Sequence, residues 1–180
     1  AVAFILGLMI AAGVGFLVDR MDDRIYSEAD IQSLLSKPIL AHIPYVEEAE
    51  KRLLSGMEKK HSYILLESFR MLRSNITFMG VDKPIKSLVI TSCEPNEGKS
   101  TTAINLATAM AMDGKKVILV DADLRRPSVH KMMQLPRNIG FTNVVTGAIS
   151  LQDALQETAV HNLFVLAAGP TPPNPPEFLN

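Results

Sequence analysis

Apolar residues follow different rhythms along this chain, and each rhythm predicts an element. Residues 1–18, AVAFILGLMIAAGVGFLV, are apolar without interruption and carry no charge. A helix of about 18–20 such residues, rising 1.5 Å each, matches the hydrocarbon thickness of a bilayer. A transmembrane helix is therefore expected there, with a buried core helix as the other use of such a run. No basic segment precedes it and no cleavage-type site follows, which argues against a secretory signal. Gly7, Ala11, Gly13 and Gly15 would let a second membrane helix approach closely. The flank Asp19-Arg20-Met21-Asp22-Asp23-Arg24 mixes signs and does not orient the segment.

The next stretch, residues 19–59, reads as a juxtamembrane linker. Ser27-Glu28-Ala29-Asp30 has the form of a helix cap leading into Ile31, Leu34 and Leu35, and Lys37-Pro38 would end that helix. Ile39 to Pro44 reads as a short strand closed by proline. Residues 47–60 are highly charged and expected to be solvated. From residue 61 the period changes. Leu65, Phe69, Leu72 and Ile76 recur at helical spacing and predict an amphipathic helix over 61–79.

Beyond that helix the apolar residues come in short unbroken runs, as buried strands do. Three such runs are Leu88-Val89-Ile90, Val117-Ile118-Leu119-Val120 and Leu163 to Ala168. A helical segment through Ala103, Ile104, Leu106, Ala107 and Met110 separates the first two. Two short helices, around residues 140–145 and 150–155, separate the second and third. Gly169-Pro170 to Glu177 is a rigid loop opening a last helix. Strand, helix, strand, helix, strand predicts an α/β protein with a doubly wound parallel sheet and flanking helices, preceded by one transmembrane helix. The expected domains are 1–18, the membrane helix; 19–59, the cytoplasmic linker; and 60–180, the N-terminal part of a nucleotide-binding domain.

The first strand runs into Pro95-Asn96-Glu97-Gly98-Lys99-Ser100-Thr101, and a helix starts at once. A strand that turns and re-enters as a helix aims backbone N–H groups and the positive end of the helix dipole at an anion. Lys99 can reach β- and γ-phosphates, and the Ser100 hydroxyl can ligate Mg²⁺. Gly98, Lys99 and Ser100 fit the phosphate-loop consensus G-x-x-x-x-G-K-[ST], but Cys93 stands at its first glycine. Asn96 occupies a second position where glycine would be comfortable. An ordinary surface turn would also explain Gly-Lys-Ser alone. The flanking strand and helix favour phosphate binding, hence ATP with Mg²⁺. Because ATP is cytosolic, the C-terminal side of the membrane helix belongs in the cytoplasm.

The second strand ends in Asp121-Ala122-Asp123-Leu124-Arg125-Arg126. Groups beyond the carboxyl ends of strands line the ligand crevice of open α/β sheets. Alternation sends Asp121 and Asp123 to the same side, where carboxylates beside a Mg-nucleotide hold metal-bound water or accept a proton. Arg125 and Arg126 are candidate phosphate or partner contacts.

Composition narrows the reading further. The formal net charge of −1 gives no electrostatic case for nucleic-acid binding. Cys93 is the single cysteine, so no internal disulfide forms, and it reads as a small loop residue. His42 and His61 lack metal-ligand company. Glu67, Arg70 and Arg73 are three apart, which by spacing alone is an ordinary intrahelical ion-pair face.

Four segments together resemble the bacterial tyrosine kinases of polysaccharide export and chain-length control, over nearly the whole chain. Ile90-Thr91-Ser92 through Ser100 is similar to their Walker A loop, and Ile118 through Arg125 to their Walker A′ motif. Glu67-x-x-Arg70-x-x-Arg73 and Gly169-Pro170 through Glu177 complete the set. The membrane helix followed by Pro38 to Pro44 resembles the fused form, in which membrane activator and kinase share one chain. The resemblance implies an ATP- and Mg²⁺-dependent protein-tyrosine autokinase at the bacterial inner membrane, with its kinase part in the cytoplasm. Lys99 would hold the phosphates, Ser100 the metal, and Asp123 a metal-bound water, with Asp121 activating the tyrosine hydroxyl. Pro95 to Thr101 and Arg125 would surround the nucleotide. Glu67, Arg70 and Arg73 would pair across subunits in a ring, each tyrosine-rich tail entering its neighbour's site. Implied partners are the polysaccharide polymerisation and export machinery and a cognate tyrosine phosphatase.

The chain opens on Ala1 and stops at Asn180 in mid-pattern, so a fragment is expected, lacking the Walker B aspartate and the tyrosine cluster. Tyr26, Tyr45 and Tyr63 are scattered, and none is singled out as a phosphorylation site. Residues 1–180 alone are expected to be inactive. Two other classes stand beside the kinase. Partitioning-type switch ATPases carry a signature lysine where this chain has Glu94, which cannot supply a positive charge to a neighbour's phosphates. A catalytically silent membrane scaffold is weakened by the presence of Lys99, Ser100, Asp121 and Asp123 together.

Overall fold

A computed structural model describes residues 2–21, 31–32, 35–45 and 60–178. The expected cap at Ser27 to Asp30, Leu34, Tyr26 and the charged stretch 47–59 lie outside the described residues. The chain divides into two compact units, Ala1–Ile39 and Leu40–Asn180.

The first unit contains α1, Val2–Arg20. Nineteen residues at 1.5 Å give about 28 Å, close to the bilayer core of about 30 Å. None of its residues is buried. A helix apolar on every side and covered on none is long and apolar enough to cross a membrane.

The second unit is built on two packed helices and a small sheet. Helix α2, Lys60–Met79, buries Leu65, Phe69, Leu72 and Ile76. They meet Leu106 and Ala109 of α3, Lys99–Met112. Leu40, Ala41 and Ile43 pack on the same cluster. The expected strand at 39–44 does not form; these residues contribute side chains without joining a ladder.

Strand β1, Val117–Val120, follows α3, and the short helices α4, Val129–Met132, α5, Phe141–Val145, and α6, Leu151–Ala154, come next. Strands β2, Gln156–Glu157, and β3, Leu163–Leu166, complete the sheet before α7, Pro175–Phe178. The sheet order is β1-β3-β2. β1 and β3 are parallel, Val117 opposite Leu163 and Val120 opposite Leu166. β2 pairs antiparallel with β3 and adds a two-residue edge to the expected parallel pairing. β3 is buried almost throughout, and Val165 is fully inaccessible. β1 packs the half-buried Val117 and Leu119 against the cluster that includes Ala107 and Ala111 of α3, and exposes Ile118 and Val120 on the other face.

Leu88-Val89-Ile90 corrects the expectation of a first buried strand. The run pairs with no strand among the described residues, and Val89 is 88% exposed. Only Ile90 reaches the α2–α3 cluster. An apolar triplet becomes a strand only when a neighbour accepts its backbone groups, and none of the sheet β1-β3-β2 does so for this one.

Gly140 joins the sheet to α5. The Phe141 and Thr142 amides donate to the carbonyls of Ala167 and Ala168 at 2.7 and 3.1 Å. A Cβ on Gly140 would lie 2.0 Å from the Ala167 carbonyl oxygen. Glycine is needed here for close backbone approach, since its φ of 174° is ordinary extended chain.

Candidate nucleotide site

The phosphate loop ends in two left-handed residues, Asn96 at φ 67° and Gly98 at φ 85°. Asparagine tolerates this region better than most residues, so Asn96 meets the backbone requirement that glycine would meet elsewhere. The Gly98 carbonyl accepts the first helical bond, from the Thr102 amide at 2.8 Å, and α3 begins at Lys99. Inside the loop the Ser92 hydroxyl donates to the Glu94 carbonyl at 2.8 Å. The Glu94 amide donates to Glu97 Oε2 at 3.0 Å. Cys93 is exposed in the same loop.

The aspartates following β1 complete the opposite wall. Lys99 Nζ lies 3.2 Å from Asp123 Oδ2. The Arg126 amide donates to Asp123 Oδ1 at 2.9 Å. Burial pushes the Asp123 carboxyl up, but the Arg126 N–H and Lys99 outweigh it and leave its pKa below the ordinary value.

Asp121 stands differently. It is 4% exposed, and both its oxygens are occupied by main-chain donors. Oδ1 accepts from the Asp123 amide at 3.2 Å, and Oδ2 from the amides of Ser128 and Val129 at 3.2 and 3.1 Å. Burial raises its pKa, with the charge of Asp123 adding to the effect, against these three bonds. The two aspartates were expected to face the phosphate loop together. Asp123 does so, while Asp121 lies beneath the surface and pins the loop that carries Asp123. Neighbouring His130 is held below its usual pKa by burial and by the charges of Arg137 and Lys131.

One cleft of about 1060 Å³ gathers the motifs, lined by Asn96, Lys99, Ser100, Asp123, Arg125 and Arg126 among others. Pro95, Gly98 and Thr101 border it too. Glu97 does not; its carboxylate folds back on the loop. Ser128 and Asn105 are among the lining residues that the sequence did not point to. The Ser128 hydroxyl donates to Ser100 Oγ at 2.9 Å. Asn105 is buried one helical turn beyond Thr101, and its Nδ2 has no hydrogen-bond partner among the described residues. Its signal was an amide side chain within the apolar run of α3, between Ile104 and Leu106.

Glu67, Arg70 and Arg73 sit on α2, away from this cleft. Glu67 and Arg70 are exposed and pair with each other at 3.4 Å. Arg73 turns inward to α3, with Nη1 3.1 Å from the Ala109 carbonyl oxygen and 3.2 Å from Asp113 Oδ1.

Comparison with known proteins agrees with this geometry. Residues 84–161 match the ParA family model described as an NUBPL iron-transfer P-loop NTPase. The tyrosine-protein kinase YwqD of Bacillus subtilis is 49% identical over 114 residues, covering 63% of this chain and 48% of that one. Tyrosine-protein kinase ptk of Acinetobacter johnsonii is 32% identical over 97% of this chain, but only 25% of its own length is covered. The chain spans half or less of the length of these curated relatives. Among solved structures, the chimerical protein CapA2B2 superposes with a TM-score of 0.73 at 38% identity, covering 86% of this chain and 65% of that one. The kinase domain of the Escherichia coli tyrosine kinase ETK gives 0.74 at 25% identity, with the same coverages. A phosphate loop facing an Asp-x-Asp strand end, on a ParA-like P-loop fold, makes this chain similar to the bacterial tyrosine kinases over the segment compared.

Proposed function

We propose that the chain binds Mg-ATP and forms the nucleotide half of a protein-tyrosine autokinase that regulates polysaccharide polymerisation and export at the bacterial inner membrane. The observation that carries this reading is the approach of two separate motifs across one cleft, Lys99 Nζ to Asp123 Oδ2 at 3.2 Å. Partial charges at the N-terminus of α3 favour a triphosphate beside them.

The residues present fit Mg²⁺. This ion keeps several waters and takes one or two protein oxygens besides the phosphates. Ser100 and Asp123 offer that set, and no group of three or more His, Cys, Asp or Glu forms a cage among the described residues. When bound, the ion would neutralise charge on the transferred phosphoryl group. Lys99 would leave Asp123 for the β- and γ-phosphates, freeing that carboxylate to hold a metal-bound water. Arg125 would lie along the phosphates. Asp121 is the proposed acceptor of the tyrosine proton, a role that requires its buried carboxylate to leave the amides of Asp123, Ser128 and Val129 and reach the cleft. As the tyrosine oxygen bonds to the γ-phosphorus, the bond to the leaving ADP oxygen breaks.

The Glu67, Arg70 and Arg73 face is the proposed contact between copies in a ring that presents each tyrosine tail to a neighbour. The exposed Glu67 and Arg70 carry it, while Arg73 is engaged with Ala109 and Asp113 of its own chain. The export machinery and a tyrosine phosphatase are the proposed partners. A switch ATPase is the second reading, favoured by the ParA match and opposed by Glu94 at the position of the signature lysine. The test is the complete gene product with Mg-ATP labelled on the γ-phosphate, beside Lys99→Met. Label on tyrosine that disappears in Lys99→Met is expected. Free phosphate without labelled protein would move the chain to the switch ATPases.

A further inference from the structure

Ser128 occupies the N-cap position of α4, where serine ordinarily turns its oxygen to its own helix amides. Here it makes no such bond. Its hydroxyl reaches across the cleft and donates to Ser100 Oγ at 2.9 Å, while its own amide donates to Asp121 Oδ2 at 3.2 Å. One residue therefore joins the phosphate loop to the aspartate loop, 28 positions apart in sequence. It does so by giving up a local bond that its position offers.

We propose that Ser128 is a positioning residue that sets Ser100 for the divalent cation. The inference rests on the nucleotide reading above. A serine hydroxyl rotates freely and has two acceptor lone pairs. The bond from Ser128 engages one of them and fixes the direction of the other, the one available to a metal. Groups bonded to a metal ligand in this way orient it before the metal arrives, and their loss typically weakens metal affinity about 10- to 100-fold. Asp121 holds the main chain of Ser128 in place, so the donor is anchored independently of its own side chain. Ser128→Ala removes the hydroxyl and leaves the amide bond to Asp121 intact.

The test uses the whole chain in detergent micelles and a fluorescent methylanthraniloyl-ATP, titrated at a series of Mg²⁺ concentrations and in EDTA. Ser128→Ala is expected to need about tenfold more Mg²⁺ for half-maximal binding, with affinity in EDTA and the melting temperature unchanged. Ser128→Thr, which keeps the hydroxyl, is expected to restore the wild-type Mg²⁺ dependence and guards against a folding defect in the alanine variant. An unchanged Mg²⁺ dependence in Ser128→Ala would overturn the proposal. So would equal weakening with and without Mg²⁺, the result of a purely structural role. Failure of the wild-type chain to bind at all would overturn the nucleotide reading itself, and this inference with it.

Discussion

Lys99 Nζ and Asp123 Oδ2 lie 3.2 Å apart, so the lysine that should meet the phosphates is held by a carboxylate of the opposite wall. A ligand must break this pair to use either group. Asp123→Asn is expected to tighten binding of metal-free ATP, measured in EDTA, because Lys99 is released and a negative charge leaves the cleft. The same change should weaken the gain in affinity that Mg²⁺ confers. Equal affinity of both proteins in EDTA would show that the pair does not restrain the lysine.

The same carboxylate gives an acid signature. Its folded-state pKa is lowered, so the unfolded chain binds protons more readily. The resulting stabilisation is present above the unfolded value near about 3.9 and is lost as pH falls through the folded value. Asp121, with its pKa raised, acts in the opposite sense. Between about pH 5 and pH 3 the melting temperature of Asp123→Asn should fall less steeply than that of the wild type. Parallel curves would remove Asp123 from the acid response.

Arg73 bonds to the end of α3 and to Asp113, whereas Glu67 and Arg70 point outward from α2. Arg73→Ala and Asp113→Ala should each lower the melting temperature, and the double variant should lose less than the sum, since both remove one interaction. A cation at a helix C-terminus is worth about 0.3–1 kcal/mol. Glu67→Ala and Arg70→Ala should leave the melting temperature nearly unchanged and lower the sedimenting mass. Strict additivity in the Arg73–Asp113 cycle would refute the intrachain role.

Asn96 adopts φ 67° in the phosphate loop. Asn96→Gly should keep or tighten nucleotide binding. Asn96→Val places a β-branched residue in the left-handed region, where side chains cost about 1–2 kcal/mol, and should weaken binding about 5- to 30-fold. Equal affinities for the valine and glycine variants would mean that the loop binds phosphate in another conformation.

Gly140→Ala tests the junction of α5 with the sheet. The added Cβ meets backbone atoms of residues 167 and 169, which side-chain rotation cannot relieve. A loss of several degrees in melting temperature is expected. A wild-type melting curve would show that the two segments separate at little cost.

What the sequence determined by itself was set by short-range physics. The period of Leu65, Phe69, Leu72 and Ile76 specifies a helix with one buried stripe, and α2 buries those four residues. Gly98-Lys99-Ser100 marks a loop-to-helix junction because glycine admits the left-handed turn that starts α3. The apolar runs at 117–120 and 163–166 are long enough to become β1 and β3.

Tertiary structure decided whatever depends on a partner distant in sequence. Leu88-Val89-Ile90 has the composition of a strand, yet a ladder needs a neighbour's carbonyls and amides, and no strand of the sheet β1-β3-β2 supplies them. Gln156 and Glu157 carry no strand signal and pair because β3 offers its edge. Alternation placed Asp121 and Asp123 on one side, but only the amides of Ser128 and Val129 sink the first while Lys99 draws out the second. Arg70 and Arg73 look alike in the motif, and the end of α3 separates them by accepting one guanidinium. A side chain's role follows from the donors and acceptors it finds in space, and those are fixed only when distant segments meet.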